Sequence, residues 1–239
     1  MNVINFKEID STNTYAKKNI EDLKDKTVIS ADLQTNGHGR FNRTWVDLGC
    51  ENIYMTFVLK PSDTILPVHS NLTQYLSLIL CHQLKEMGLN PQIKWPNDVL
   101  VNGKKICGIL AETVIQKGKL KGIALGIGVN LNAFAQDLKT IDQPATSLNL
   151  ELKKEINKDH FMQKLIKDFY TGYDNFLLNG FVSIKEAYER YSFIKKGADI
   201  NVSIFNSIKN GSFEGFDNDG TLILKTDKDF EKINMGELV

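Results

Sequence analysis

The sequence predicts an α+β fold: a mixed, mostly antiparallel sheet packed with helices, followed by a small β-barrel at the C-terminus. Helix-like and strand-like segments are segregated along the 239 residues, whereas βαβ units would alternate them. Asn102-Gly103 and Lys117-Gly118 lie between strand-like runs and read as hairpin turns. From Gly197 the runs shorten and alternate around a turn at Gly215-Phe216-Asp217-Asn218-Asp219-Gly220, the pattern of about five short strands forming a barrel.

Ser11 in Asp10-Ser11-Thr12-Asn13 is a good N-cap, and a polar helix follows to about Leu23. Val28-Ile29-Ser30-Ala31 is a buried strand, and residues 35–44 form a loop. The β-branched and aromatic run from Ile53 to Leu59 is a strand that Pro61 ends. Leu72, Tyr75, Leu76, Ile79, Leu80, Leu84 and Met87 recur at helical spacing and stop at Gly88, a C-cap residue. Ile93-Lys94-Trp95, interrupted by Pro96, starts a meander through Val99–Val101, Ile106–Leu110, Thr113–Gln116 and Lys119–Asn132. Helices resume over residues 158–178 and after Ser183-Ile184-Lys185-Glu186, a capping-box sequence that opens a helix through Phe193. Ile200/Val202/Ile204, Leu222/Leu224 and Ile233/Met235 supply the last strands. Residues 197–239 are marginal alone and should lean on the larger part.

With 42% apolar residues the chain can build a core, and 29 basic residues against 29 acidic ones leave no excess for binding polyanions. No apolar run approaches the roughly 18 residues of a membrane span, and residues 1–8 lack the blocks of a signal peptide. A cytoplasmic location is therefore expected, with no membrane or DNA partner. The cysteines Cys50, Cys81 and Cys107 are far apart and odd in number, and the histidines show no ligand spacing, so no metal held by protein alone is expected.

Arginine is scarce, and two of the three, Arg40 and Arg43, share one stretch, Gln34-Thr35-Asn36-Gly37-His38-Gly39-Arg40-Phe41-Asn42-Arg43-Thr44-Trp45. Glycines there let backbone approach an anion, guanidinium forks match carboxylate and phosphate, and Trp45 can stack on a base or pack beneath the loop. A solvated turn over a buried Trp fits the stretch as well. Lys94-Trp95-Pro96-Asn97-Asp98 puts a lysine at a strand end, either aimed at a phosphate or merely exposed on the sheet. Gly126-Ile127-Gly128-Val129-Asn130-Leu131-Asn132 is a glycine-bearing strand, read as a bulge or as backbone pressed by a ligand. Cys107, in mid-strand, reads as a small buried hydrophobe rather than an acyl-accepting thiol.

In this order and spacing, Ser11-Thr12-Asn13, the Gln34–Trp45 loop, Lys94–Asp98 with Lys105-Ile106-Cys107-Gly108-Ile109-Leu110 behind it, and Gly126–Asn132 resemble the biotin protein ligases. The tail, Gly215-x-Asp217-x-x-Gly220-x-Leu222-x-Leu224, is similar to that family's SH3-like barrel, so the resemblance spans essentially the whole chain. It implies a biotin/lipoate ligase-like catalytic core over residues 1–194 and an SH3-like domain over 195–239. It also implies activation of biotin by ATP and Mg²⁺ to biotinyl-5′-AMP, then transfer to a lysine of the biotin carboxyl carrier protein of acetyl-CoA carboxylase. Carried over by position, Ser11, Thr12, Asn13, Gln34, His38 and Gly39 would bind biotin, with Arg40 and Lys94. Arg40, Arg43, Trp45, Lys94, Asn97 and Asn130 would bind the nucleotide, and Lys94, Arg40 and Arg43 would carry catalysis. Mg²⁺ would arrive with ATP. His38 departs from the pattern, which more usually has arginine there; a backbone role and a ligand contact both stay open. The resemblance leaves two alternatives, a lipoate or octanoate ligase or transferase and a non-catalytic biotin sensor. Since Ser11-Thr12-Asn13 begins so early, no N-terminal DNA-binding domain and no repressor function are expected. A homodimer stays open.

Overall fold

The computed structural model describes residues 2–61, 71–205 and 207–239. A seven-stranded sheet comprises β1 (Val3–Ile9), β2 (Val28–Gln34), β3 (Ile53–Leu59), β4 (Pro91–Lys94), β5 (Asp98–Val101), β6 (Lys104–Gln116) and β7 (Lys119–Val129), in the order β1-β2-β3-β7-β6-β5-β4. Only β1 and β2 pair in parallel. The edge strand β1 was not expected: its solvent-facing half carries Asn5, Lys7 and Glu8, which hide the alternation of Ile4 and Phe6. The runs expected as two strands at 106–110 and 113–116 form one strand, β6. Both hairpin turns are present, with Asn102 and Gly103 at φ 52° and 74° and Lys117 and Gly118 at 49° and 73°, the pair of positive φ angles that a two-residue turn requires.

Helix α1 (Thr12–Lys18) covers part of one face: Ala16 and Ile20 pack with Ile29, Val58 and Ala124. It is shorter than expected, because Asn19 breaks it into turns. Helix α2 (Leu72–Glu86), the short α3 (Ala135–Leu138) and α4 (Leu148–Leu152), α5 (Lys158–Asn179) and α6 (Lys185–Tyr191) follow in chain order, and α2, α5 and α6 build the main core on the other face around Phe57, Tyr75, Phe169 and Tyr188. The capping box does not form. Ser183 ends a tight turn and donates its hydroxyl to Gly180 O at 2.7 Å, so α6 starts without a side-chain cap.

The tail forms five antiparallel strands, β8 (Asp199–Ile204), β9 (Ser207–Phe216), β10 (Leu222–Lys225), β11 (Phe230–Ile233) and β12 (Glu237–Leu238), in the order β11-β10-β9-β8-β12. The expected barrel is open: β11 and β12 are its two edges and do not pair, the second being only two residues long. Phe213, Phe216 and Leu222 belong to the same buried cluster as Phe181 and Tyr188, so the tail does lean on the larger part. Among the described residues no helix is long and apolar enough to cross a membrane.

Candidate active site

A cavity of about 650 Å³ opens on the face that α1 leaves uncovered. Its floor is backbone. Register places Gly128 between Tyr54 and Gly108, and Gly126 between Thr56 and Leu110, so three glycines lie side by side on β6 and β7. A Cβ on Gly128 would sit 2.4 Å from the Trp45 indole, and one on Gly126 only 2.3 Å from Asn13 Oδ1. The glycines of the 126–132 stretch therefore serve close approach of Trp45 and Asn13 to the sheet.

The polar end belongs to α1 and the end of β2. Ser11 caps the helix, its hydroxyl oxygen accepting from Thr14 N at 3.4 Å, which leaves its proton available. Gln34 Oε1 accepts from Thr12 N (2.8 Å) and Thr12 Oγ1 (3.1 Å), so the Gln34 amide nitrogen is left to donate. Asp47 holds this residue by accepting its backbone N–H at 2.6 Å. Asn13 differs from its expected part. Its oxygen accepts from the buried Thr56 hydroxyl at 2.6 Å and its nitrogen donates to Glu112 and Leu110 O, so it braces the site rather than offering a free amide.

The opposite end gathers the cations. Arg40 donates to Asn97 Oδ1 (3.3 Å) and Gly236 O (3.0 Å), and its burial lowers the guanidinium pKa, which Glu237 and Asp98 partly offset. Arg43 pairs with Glu237 at 2.7 Å. Between them the loop turns at Phe41, whose φ of 55° is left-handed and whose ring lies 4.9 Å from the Arg40 guanidinium. Gly39 closes the loop by donating to Arg43 O at 2.7 Å, and His38 Nε2 lies 3.3 Å from Glu112.

Lys94 is not among the lining residues. It stands opposite Asp98, at the outer edge of the row that runs on through Gly108 to Gly128. The lysine inside is Lys105, 2.8 Å from Asp98 and 5.6 Å from the Trp45 ring. Simple alternation would turn Lys105 away from the face on which Gly108 lies. Ile106 is an extra residue between paired Cys107 and Lys105, and this bulge swings Lys105 onto the cavity side, its Cε 3.3 Å from where a Gly108 Cβ would be. Asn130 is also corrected. Its amide donates to Thr146 O at 3.0 Å inside the protein and does not line the cavity. Asn97 does line it, anchored by donation to Ile109 O at 2.9 Å.

Trp45 lies across Gly108 and Gly128 with its indole nitrogen buried, and neither that nitrogen nor Asp98 Oδ1 makes a hydrogen bond among the described residues. Sequence reasoning missed Asp98, Glu237 and the loop residues Thr140–Gln143 on the rim. Only Asp98 carried a signal, as the last residue of the Lys94 stretch. Cys107 is fully buried, and burial raises its thiol well above the ordinary range, which excludes it as a nucleophile.

Residues 5–130 match the model of the Biotin/lipoate A/B protein ligase family. Over 217 residues the chain is 31% identical to the bifunctional ligase/repressor BirA of Bacillus subtilis, covering 89% of this chain but 65% of that protein, so it spans less than two thirds of that relative. It is also 31% identical to the biotin--[acetyl-CoA-carboxylase] ligase of Paracoccus denitrificans, over 90% of this chain and 91% of that one. The biotin protein ligase of Aquifex aeolicus, solved in complex with biotin and ATP, superposes with a TM-score of 0.79 at 25% identity, over 100% of this chain and 97% of that chain.

Proposed function

Because the chain belongs to the biotin/lipoate A/B protein ligase family, we propose that it activates biotin with ATP and transfers it to a lysine of a biotin carboxyl carrier domain, that of acetyl-CoA carboxylase. One observation carries the reading: a single trough joins neutral hydrogen-bonding groups at one end to three cations at the other over a floor of glycines. Biotin has this polarity, a ureido head that needs donors and acceptors, an apolar chain, and a terminal carboxylate. The relatives whose names or bound ligands specify biotin support the acid, and they support ATP as its activator.

In the first step a carboxylate oxygen attacks the α-phosphorus of ATP, the bond to the bridging oxygen breaks, and pyrophosphate leaves. Two anions must meet, so the site has to supply positive charge where negative charge concentrates. Lys105 and Arg40 serve this role, with Arg43 nearer the rim. Each is already held by protein oxygens, on Asp98, on Asn97 and Gly236, and on Glu237. Ligand phosphates therefore exchange these partners rather than order a free side chain. Ser11 and the Gln34 amide donate to the ureido oxygen, and Asn13 fixes the depth of the trough. Trp45 supports the adenine end, while His38 and Gly39 border the acid through the loop. Mg²⁺ would come with the nucleotide and offset phosphate charge. Asp98, which lines the cavity and pairs with Lys105, is the carboxylate that would hold it, a hard oxygen ligand of the kind Mg²⁺ takes. In the second step the carrier amine attacks the acyl carbon, the acyl–oxygen bond breaks, AMP leaves, and the amine gives up a proton.

Incubating the protein with biotin, MgATP and a carrier domain should add one biotinyl group, and replacing the acceptor lysine of the carrier by arginine should abolish it. A carrier left unmodified while the adenylate forms would contradict the transfer.

A further inference from the structure

Glu112, on β6, stands outside the cavity yet holds two residues that line it. Its Oε1 accepts from Lys17 Nζ at 2.5 Å; its Oε2 accepts from Asn13 Nδ2 at 2.9 Å and lies 3.3 Å from His38 Nε2. Segments far apart in sequence, the first turns of α1, the start of the arginine loop and the sheet, thus meet at one carboxylate. We infer that Glu112 is a positioning residue that fixes the Asn13 amide and the His38 end of the loop relative to each other, and so sets affinity for the acid substrate without touching it.

Two features carry this. A carboxylate only accepts, so Glu112 holds the Asn13 nitrogen toward β6 and its oxygen toward Thr56. The reversed amide would leave the buried Thr56 hydroxyl facing a donor. Second, among the described residues the bond to Glu112 is the one side-chain hydrogen bond from residues 36–39 to the sheet. The later half of the loop is tied elsewhere, through Arg40 and Arg43 to the C-terminal tail. The carboxylate stays charged in its half-buried setting: burial pushes its pKa up, but hydrogen bonds from Lys17 and Asn13 and the charges of Lys17 and His38 outweigh this and leave it below the usual range. Charge-assisted bonds of this kind are the strong ones.

The inference rests on the proposed biotin-activating reading, and Glu112→Gln, which keeps shape and removes charge, tests it. We expect the KM for biotin in adenylate formation to rise about tenfold, with kcat and the KM for ATP within about threefold, because ordering of the acid site and not the chemistry is affected. In the ligand-free protein, amide hydrogen exchange over residues 36–39 should quicken about tenfold. Unchanged exchange, or a loss confined to kcat, would overturn the proposal. Should Glu112→Gln fail to fold, His38→Ala removes the same link from the loop side and must quicken exchange alike; unchanged protection there would also overturn it. A wild-type chain inactive with biotin would contradict the parent reading instead, and the exchange comparison would still decide the part played by Glu112.

Discussion

In the proposed reaction Lys105 stands where the negative charge of the two substrates would converge, and its removal should cost rate as well as some stability. Lys105→Ala is expected to lower the adenylation rate about a hundredfold, near 3 kcal/mol. Stability falls too, by about 1–3 kcal/mol, since Asp98 loses its partner. Lys94→Ala, two strands outward, should stay within about threefold in single-turnover assays. Equal losses for the two lysines would refute the assignment. Gly128→Ala drives a methyl group into the Trp45 indole, so the indole must shift. Overpacking of this sort costs about 1–3 kcal/mol, and the KM for ATP should rise more than that for biotin; a normal KM for ATP would separate Trp45 from the nucleotide. At this scale the sequence displays residue type but not direction. Arg40, Arg43 and Trp45 stand out by rarity and clustering, whereas Lys105 depends on a one-residue bulge and Asn130 on a carbonyl sixteen residues away, neither visible in alternation.

The arginine loop is an element fastened at one end to the sheet and at the other to the tail, where Arg40 meets Gly236 O and Arg43 meets Glu237. A loop that closes over a mixed anhydride slows its escape to water. Arg40→Gly should therefore leave adenylate formation partly intact while the intermediate leaks, seen as biotin on bystander lysines. Glu237→Gln should leak in the same direction and less. Complete retention in both would contradict the clamp. Helix α2 was legible because its apolar residues repeat through four turns, and both hairpins because their turn residues tolerate positive φ. The capping box failed for a physical reason: Ser183 belongs to the preceding 3-10 turn Gly180–Ser183, so Ile184 takes the N-cap position and has no side-chain oxygen to accept from the first turn. Strand β1 escaped notice because an edge strand with one wet face, broken by Asn5, Lys7 and Glu8, carries little apolar signal.

Across the whole molecule, one continuous core joins α5, α6 and the tail, with Phe216 packed edge-on against Tyr188 at 5.1 Å. Unfolding is expected as a single calorimetric transition, and Phe216→Ala should lower stability of the entire chain by about 3–5 kcal/mol. Two resolved transitions would mean that the tail folds independently. The α+β class followed from segregated periodicities, but closure of the tail did not, because periodicity reports strands and not which edges meet. The central claim, that the trough takes biotin and joins it to AMP, is tested most directly by ATP–pyrophosphate exchange measured side by side with biotin, lipoate and octanoate. Exchange dependent on biotin and weak with the other two acids is the result expected; exchange with lipoate or octanoate and none with biotin would contradict it.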